Sequence, residues 1–397
     1  MVSGCLSGFL DCDREFENGC EAELGTEATC GGCGDVCTWK CDATGCDDVV
    51  GVSTGGFHSC ALRESGRVFC WGANDYSQLG LSSPGGRLFA TTAVAMIGDA
   101  VQIASGERHS CARSASGAVR CWGWGSSGQL GNGGVSTSAT PLAVAVPAAT
   151  TIALGRTHSC AIDSAGRLYC WGRNGEGELG DGTQTQRDTP RRISAAGTVS
   201  SVGTGDSHTC VVSGGTVRCW GANGQGQLGG GGASVRELSP IVISGLNGVT
   251  EVRAGRDHSC ALRGDGTVWC WGGNDVGQLG DGTFSQRTSP VRVDLSSVRS
   301  ISAASDARHT CAIRTDDSLW CWGLNTNGQV GDRTLDNRNT PVRIAEEIAA
   351  VAVGWTHTCA STIDGRPVCW GANGSGRLGD GTSERRSSPT PVLPPTD

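Results

Sequence analysis

Short apolar runs separated by glycine-bearing turns fill the chain from about residue 49 onward. Within 49–80 the pattern gives an apolar strand at Val49–Val52 and a glycine-containing turn at Ser53–Phe57. A second strand, His58–Arg63, follows, then a hairpin turn at Glu64–Arg67 and a third strand at Val68–Gly72. Later segments such as Thr140-Pro141-Leu142, Thr189-Pro190-Arg191 and Ser289-Pro290-Val291-Arg292-Val293 read as edge strands. Proline is tolerated there because one side of an edge strand has no ladder to break. The unit is therefore four strands.

The unit recurs. All seven histidines, His58, His109, His158, His208, His258, His309 and His357, lie on one ladder with steps of 48 to 51 residues. Each is followed two residues on by a cysteine, and nine or ten residues later by a Cys-Trp-Gly triplet. Six repeats span His58 to His357, and the remainder of 49–397 is one more repeat. Four strands repeated seven times predict an all-β, seven-bladed β-propeller over 49–397, whose sheets are buried only when neighbouring blades stack. A cysteine-rich module occupies 1–48 in front of it.

Gly-x-x-His-Ser-Cys-Ala-Leu, Cys-Trp-Gly-x-Asn and Gly-Gln-Leu-Gly-Asp-Gly-Thr, nearly complete at 255–283, resemble the regulator of chromosome condensation repeat family. The resemblance covers about 350 of the 397 residues and implies a seven-bladed propeller. Departures are local: Ser77 replaces a glycine, Gly125 an asparagine, and the sixth repeat reads Ala304-Ser305-Asp306-Ala307-Arg308-His309 in place of Gly-x-x-His. The paired cysteines are similar to those of secreted bacterial members. The nuclear role of eukaryotic members, nucleotide exchange on a small GTPase, needs a reducing compartment and is not expected here.

Cys60 and Cys70 are equidistant from the turn at Ser65 and face each other across the hairpin. Non-hydrogen-bonded antiparallel pairs bring Cα atoms to about 4.5 Å, within disulfide range. Seven intra-blade bridges are expected: Cys60–Cys70, Cys111–Cys121, Cys160–Cys170, Cys210–Cys219, Cys260–Cys270, Cys311–Cys321 and Cys359–Cys369. The front module adds Cys5, Cys12, Cys20, Cys30, Cys33, Cys37, Cys41 and Cys46, a disulfide-scaffold density whose connectivity stays open. An even total of 22 cysteines points to an oxidising compartment, hence to an extracellular or cell-surface location.

Charge narrows the partners. Residues 1–50 hold eleven carboxylates against Arg14 and Lys40, a net of −9, while the whole chain is −8, which leaves +1 for the rest. A near-neutral propeller with an acidic front is not built for nucleic acid, which needs clustered basic charge. No stretch is long and apolar enough to span a bilayer. Val2-Ser3-Gly4-Cys5 resembles a bacterial lipoprotein cleavage site but lacks an apolar segment before it; a trimmed form of an exported precursor is the expectation. The acidic set Asp11, Asp13, Glu15, Asn18 and Glu21 is a candidate calcium site, and Cys30, Cys33, Cys37 and Cys41 a candidate zinc site. The solvated acidic face and the disulfide scaffold are the preferred readings, so no metal or cofactor is expected.

Seven equivalent histidines argue for structure, because an active site needs one residue in a special environment. Hydrogen bonds from each to backbone are expected, with the tryptophan after the second cysteine packing between blades. Arg187, Arg287, Arg338 and Arg386, repeated at one position, are assigned to blade packing. No nucleophile, paired acid or phosphate loop stands out, so the chain reads as a non-enzyme. What differs between repeats is the turn before each histidine: Phe57, Glu107, Arg108, Arg156, Asp206, Arg256, Asp257, Arg308 and Trp355. These should ring one face and form a binding surface for a protein or glycan, since arginine and aromatics dominate binding hot spots. The alternative is a self-assembling subunit of a surface fibre or matrix.

Overall fold

The computed structural model describes residues 47–394, apart from 82–86, 95 and 233, and four two-residue strands, Phe9–Leu10, Ala22–Glu23, Cys41–Asp42 and Gly45–Cys46. The front-module disulfides and the candidate calcium and zinc ligands lie outside the described side chains. Seven four-stranded antiparallel sheets follow one another over 49–93, 100–144, 149–192, 199–242, 249–292, 298–345 and 348–391. The chain is an all-β seven-bladed propeller. Blade 1 shows the plan: Val49–Thr54 is innermost, then His58–Arg63, Val68–Ala73 and the outer Arg87–Ala93. Every sheet is a meander of consecutive strands, so blade 7 meets blade 1 through packing and hydrogen bonds and shares no strand with it.

The core lies between blades rather than within them. Cys60, Leu62, Val68, Cys70 and Leu79 of blade 1 pack against Ala100, Ile103, Ala112 and Trp122 of blade 2. The same plan recurs around the ring and closes where Val49, Ala61, Phe69 and Trp71 meet Cys359, Cys369, Leu378 and Val392. Because side chains alternate across a strand, the cysteines point to one neighbour and the following tryptophan to the other. Seven tryptophans thus become fully buried.

The register pairs Cys60 with Cys70 and repeats in every blade, and all seven bridges form with Cα–Cα separations of 4.1 Å. No cysteine is free among the described residues. The innermost strands surround an axial channel of about 210 Å³. Their open edges are met by side chains of the preceding blade. Gln102 donates to Ile152 O and accepts from Ile152 N, while Ser201 and Ser302 accept from Val252 N and Val353 N. This answers the demand that backbone groups at a sheet edge find partners.

Candidate binding face

The histidines do not bond backbone, as expected above, but link blade to blade through hydroxyls. Each Nε2 meets the Ser or Thr that follows the histidine of the next blade: His58–Ser110, His109–Ser159, His158–Thr209, His208–Ser259, His258–Thr310, His309–Thr358 and His357–Ser59, all at 2.8–3.0 Å. The same hydroxyls donate to a carbonyl of the blade before, for example Ser159 to Gln129 O and Ser59 to Arg377 O. A hydroxyl has one proton, so Nε2 carries the hydrogen and donates, which fixes the neutral tautomer. The tryptophan indole of the same blade donates to that carbonyl as well, as Trp171 does to Gln129 O at 2.9 Å. Complete burial holds six of the histidines at a pKa of about 3, and His357 well below its ordinary value.

This ring carries the variable turns. The residue before each histidine accepts a hydrogen bond from the residue after Cys-Trp-Gly, as in Ala73 N to Phe57 O and Trp124 N to Arg108 O. The glycine of the triplet permits it: Gly72 has φ +104°, and a Cβ there would lie 2.7 Å from Phe57 O. Two variable turns per blade are thereby held side by side on one face of the propeller.

That face has two regions. Around the joint of blades 7, 1 and 2, Phe57 and Trp355 meet edge to face with centroids 5.1 Å apart, and Tyr76 lies 5.7 Å from Trp124. The Arg108 guanidinium sits over Tyr76 at 4.5 Å, Phe57 at 5.4 Å and Trp124 at 5.8 Å, so ring faces and cation attract. Arg377 also lies 5.0 Å from the Phe57 ring centroid and donates from blade 7 to Gly56 O of blade 1, bracing the seam. The four rings and Arg108 are partly exposed, and beside them is a cavity of about 340 Å³ lined by Phe57, Tyr76, Gln78 and Arg108 among others.

The second region is ionic. Arg156 of blade 3 bonds Glu107 of blade 2 at 2.9 Å and Asp206 of blade 4 at 3.4 Å, and lies 3.7 Å from Asp306 of blade 6, so this pair crosses the ring. The three carboxylates raise the Arg156 pKa further. Burial, with Glu107 and Asp206 nearby, pushes the Asp306 carboxyl up to about 7. Arg308 pairs with Asp257 and Asp275, and Arg256 is exposed. All nine residues expected on this face lie in these turns, although Glu107 is buried. Tyr76, Trp124 and Asp306 were not anticipated. The first two occupy the turn after Cys-Trp-Gly, where the same comparison between repeats exposes them. Asp306 falls within the sixth repeat's local departure from Gly-x-x-His.

The repeated arginines are not blade packing. Arg187 reaches back to Asp181 of its own loop at 2.7 Å, and Arg287, Arg338 and Arg386 pair likewise with Asp281, Asp332 and Asp380. Asn174, Asn274, Asn325 and Asn373 donate to the same aspartates. The loop so tied touches the next blade through backbone, for instance Gly182 N to Leu238 O. Among the described residues no group of His, Cys, Asp and Glu is arranged to hold a metal ion.

A closed ring of seven sheets with a histidine–hydroxyl girdle and two variable turns per blade defines a propeller of the chromosome-condensation-regulator class. The chain belongs to the RCC1-like family: the RCC1-like domain matches residues 189–397, and the RCC1 repeat matches 65–113, 116–162 and 165–212. It is similar to the ultraviolet-B receptor UVR8 of Arabidopsis thaliana, 33% identical over 292 residues, covering 73% of this chain and 44% of that protein. It is also similar to human E3 ubiquitin-protein ligase HERC2, 28% identical over 316 residues, covering 77% of this chain and 6% of that protein. The chain thus spans under half the length of these relatives. Prp20p of Saccharomyces cerevisiae shares the fold with a TM-score of 0.72 at 24% identity, over 82% of this chain and 85% of that one.

Proposed function

We propose that the propeller is a non-catalytic, exported binding module that presents the variable-turn face to a protein partner. The observation that carries this is the partly exposed cluster of Phe57, Tyr76, Trp124 and Trp355 around Arg108, beside an open cavity. Tyrosine, tryptophan and arginine are the side chains that most often supply binding energy at protein interfaces. The surrounding framework, tied by seven bridges, pre-organises them, which lowers the entropy cost of association. The Prp20p structure is described together with its binding to Gsp1p and histones, which makes protein binding a reasonable use of this fold. Fourteen paired cysteines support export.

A photo-crosslinking amino acid placed at Trp124 or Tyr76 tests the face. A single adduct of defined mass is expected from material of the source organism, weakened by Arg108→Glu and missing when the crosslinker stands at the exposed Val242 on the outer strand of blade 4. Equal labelling from Val242 overturns the reading of this face.

A further inference from the structure

Six of the seven repeats carry glycine three residues before the histidine, and for good reason. A Cβ at Gly55, Gly106, Gly155, Gly205, Gly255 or Gly354 would fall 2.1–2.7 Å from a carbon of the histidine ring. The sixth repeat has Asp306 there and a rearranged turn in which Ala307 N donates to Ala304 O. The departure places a carboxyl where no other blade has a side chain. It faces Glu107 and Asp206, two turns drawn from blades that are not its neighbours, through the shared Arg156.

The group is short of donors. Asp306 is only 9% exposed, yet its Oδ2 is buried without a hydrogen-bond partner, and its Oδ1 has only the 3.7 Å contact with Arg156. A buried carboxylate oxygen without a donor costs on the order of 1–3 kcal/mol, a cost that an incoming donor removes. Arg108 does not supply it, because its Nε faces Glu107 and its plane is held among the rings. The Arg156 side chain that contacts all three carboxylates is 43% exposed, so the cluster borders solvent. The carboxylates are not grouped for a metal ion, whereas a planar guanidinium or a primary ammonium matches separated oxygens on a shallow face.

We propose that Asp306, with Asp206 and Glu107, forms an axial receptor for a basic side chain, an arginine or lysine carried on a loop of the protein partner. The incoming cation donates to Asp306 Oδ2 and to Asp206, while Arg156 remains on Glu107. The aromatic cluster on the same face then takes the apolar part of that loop. This rests on the binding-face reading above and names the chemistry of its partner.

The probe is a short blocked peptide, acetyl-Gly-Arg-Gly-amide, titrated into the oxidised full-length protein and followed by NMR. The control is the same peptide with citrulline, which keeps the planar shape but has no charge and replaces one NH2 donor with a carbonyl acceptor. The arginine peptide should bind about tenfold more tightly, as expected for a charge-assisted pair. Asp306→Asn should remove most of that preference, and Asp206→Asn part of it, with tryptophan fluorescence confirming the fold. Affinity should rise from pH 6 to pH 8 as the Asp306 proton leaves, with Glu107, Asp206, Arg156 and Arg256 the charged groups that face it. Equal binding of the two peptides overturns the receptor, as does an unchanged preference in folded Asp306→Asn. The crosslinking result at Trp124 is independent, so either reading can fall alone.

Discussion

A methyl group added at position 155 would lie 2.2 Å from the His158 ring and 2.9 Å from Gly205 O, with no flexible atom to yield. Gly155→Ala should therefore cost about 3 kcal/mol or more, the scale of overpacking and lost inter-blade bonds. Gly224→Ala, where nothing lies within 4 Å, should stay within about 0.5 kcal/mol of the parent. Denaturant titration of the pair reads this directly; similar losses at both would show that the ring does not constrain the glycine. Ser159→Ala tests the girdle itself. It strips the acceptor from His109 and one donor from Gln129 O, so a loss of about 1–3 kcal/mol is expected by the same titration. A neutral result would mean the histidine has found another partner.

Hairpins are the unit at the next scale. Each bridge closes a loop of nine or ten residues between strands already paired in register, so part of its entropic effect is pre-empted by the turn. Cys160→Ala with Cys170→Ala should thus cost roughly 2 kcal/mol, below the ~3 kcal/mol of the chain-entropy model, in thermal or denaturant unfolding. A larger loss would mean that blade 3 relies on its bridge to form. The hairpins, their register and the bridges were legible in the sequence because period-2 alternation and sevenfold repetition leave one solution. The partners of His58 and its counterparts were not legible. A serine or threonine following each histidine reads as an ordinary strand residue, and only the stacking of blades brings it opposite the preceding ring. The arginine–aspartate clasps escaped notice for a related reason: Asp181 and Arg187 look like turn and strand residues until the loop folds back. On the binding face, Phe57 and Trp355 were visible as variation between equivalent turns. Tyr76 and Trp124 needed a second turn to be compared, and Asp306 needed the axis.

The whole ring responds to protons as one body. Seven imidazoles are neutral in the folded state, with pKa about 3 for six of them, against 6.5 in an unfolded chain. Below pH 6.5 the unfolded chain binds protons that the folded chain refuses, so stability is greatest above that pH and falls as pH drops toward 3. Asp306, raised to about 7, acts in the opposite sense, but it is one group against seven. Each histidine contributes about 1.4 kcal/mol per pH unit, so unfolding free energies measured between pH 4 and 6 should show an uptake of several protons. A slope below about two protons would mean that the girdle opens or protonates within the folded ring.

No strand crosses the seam between blade 7 and blade 1, and each sheet is a single uninterrupted stretch of sequence. Heredity can therefore edit this ring in whole currency: duplicating or losing one repeat of the gene changes the circumference but leaves every remaining strand with the partner it had. The hydroxyl of each blade accepts the histidine before it without regard to which blade that is, since serine and threonine serve alike around the girdle. Blades are interchangeable at their joints and individual only in their turns, so new recognition surfaces arise by shuffling copies rather than by redesigning a fold.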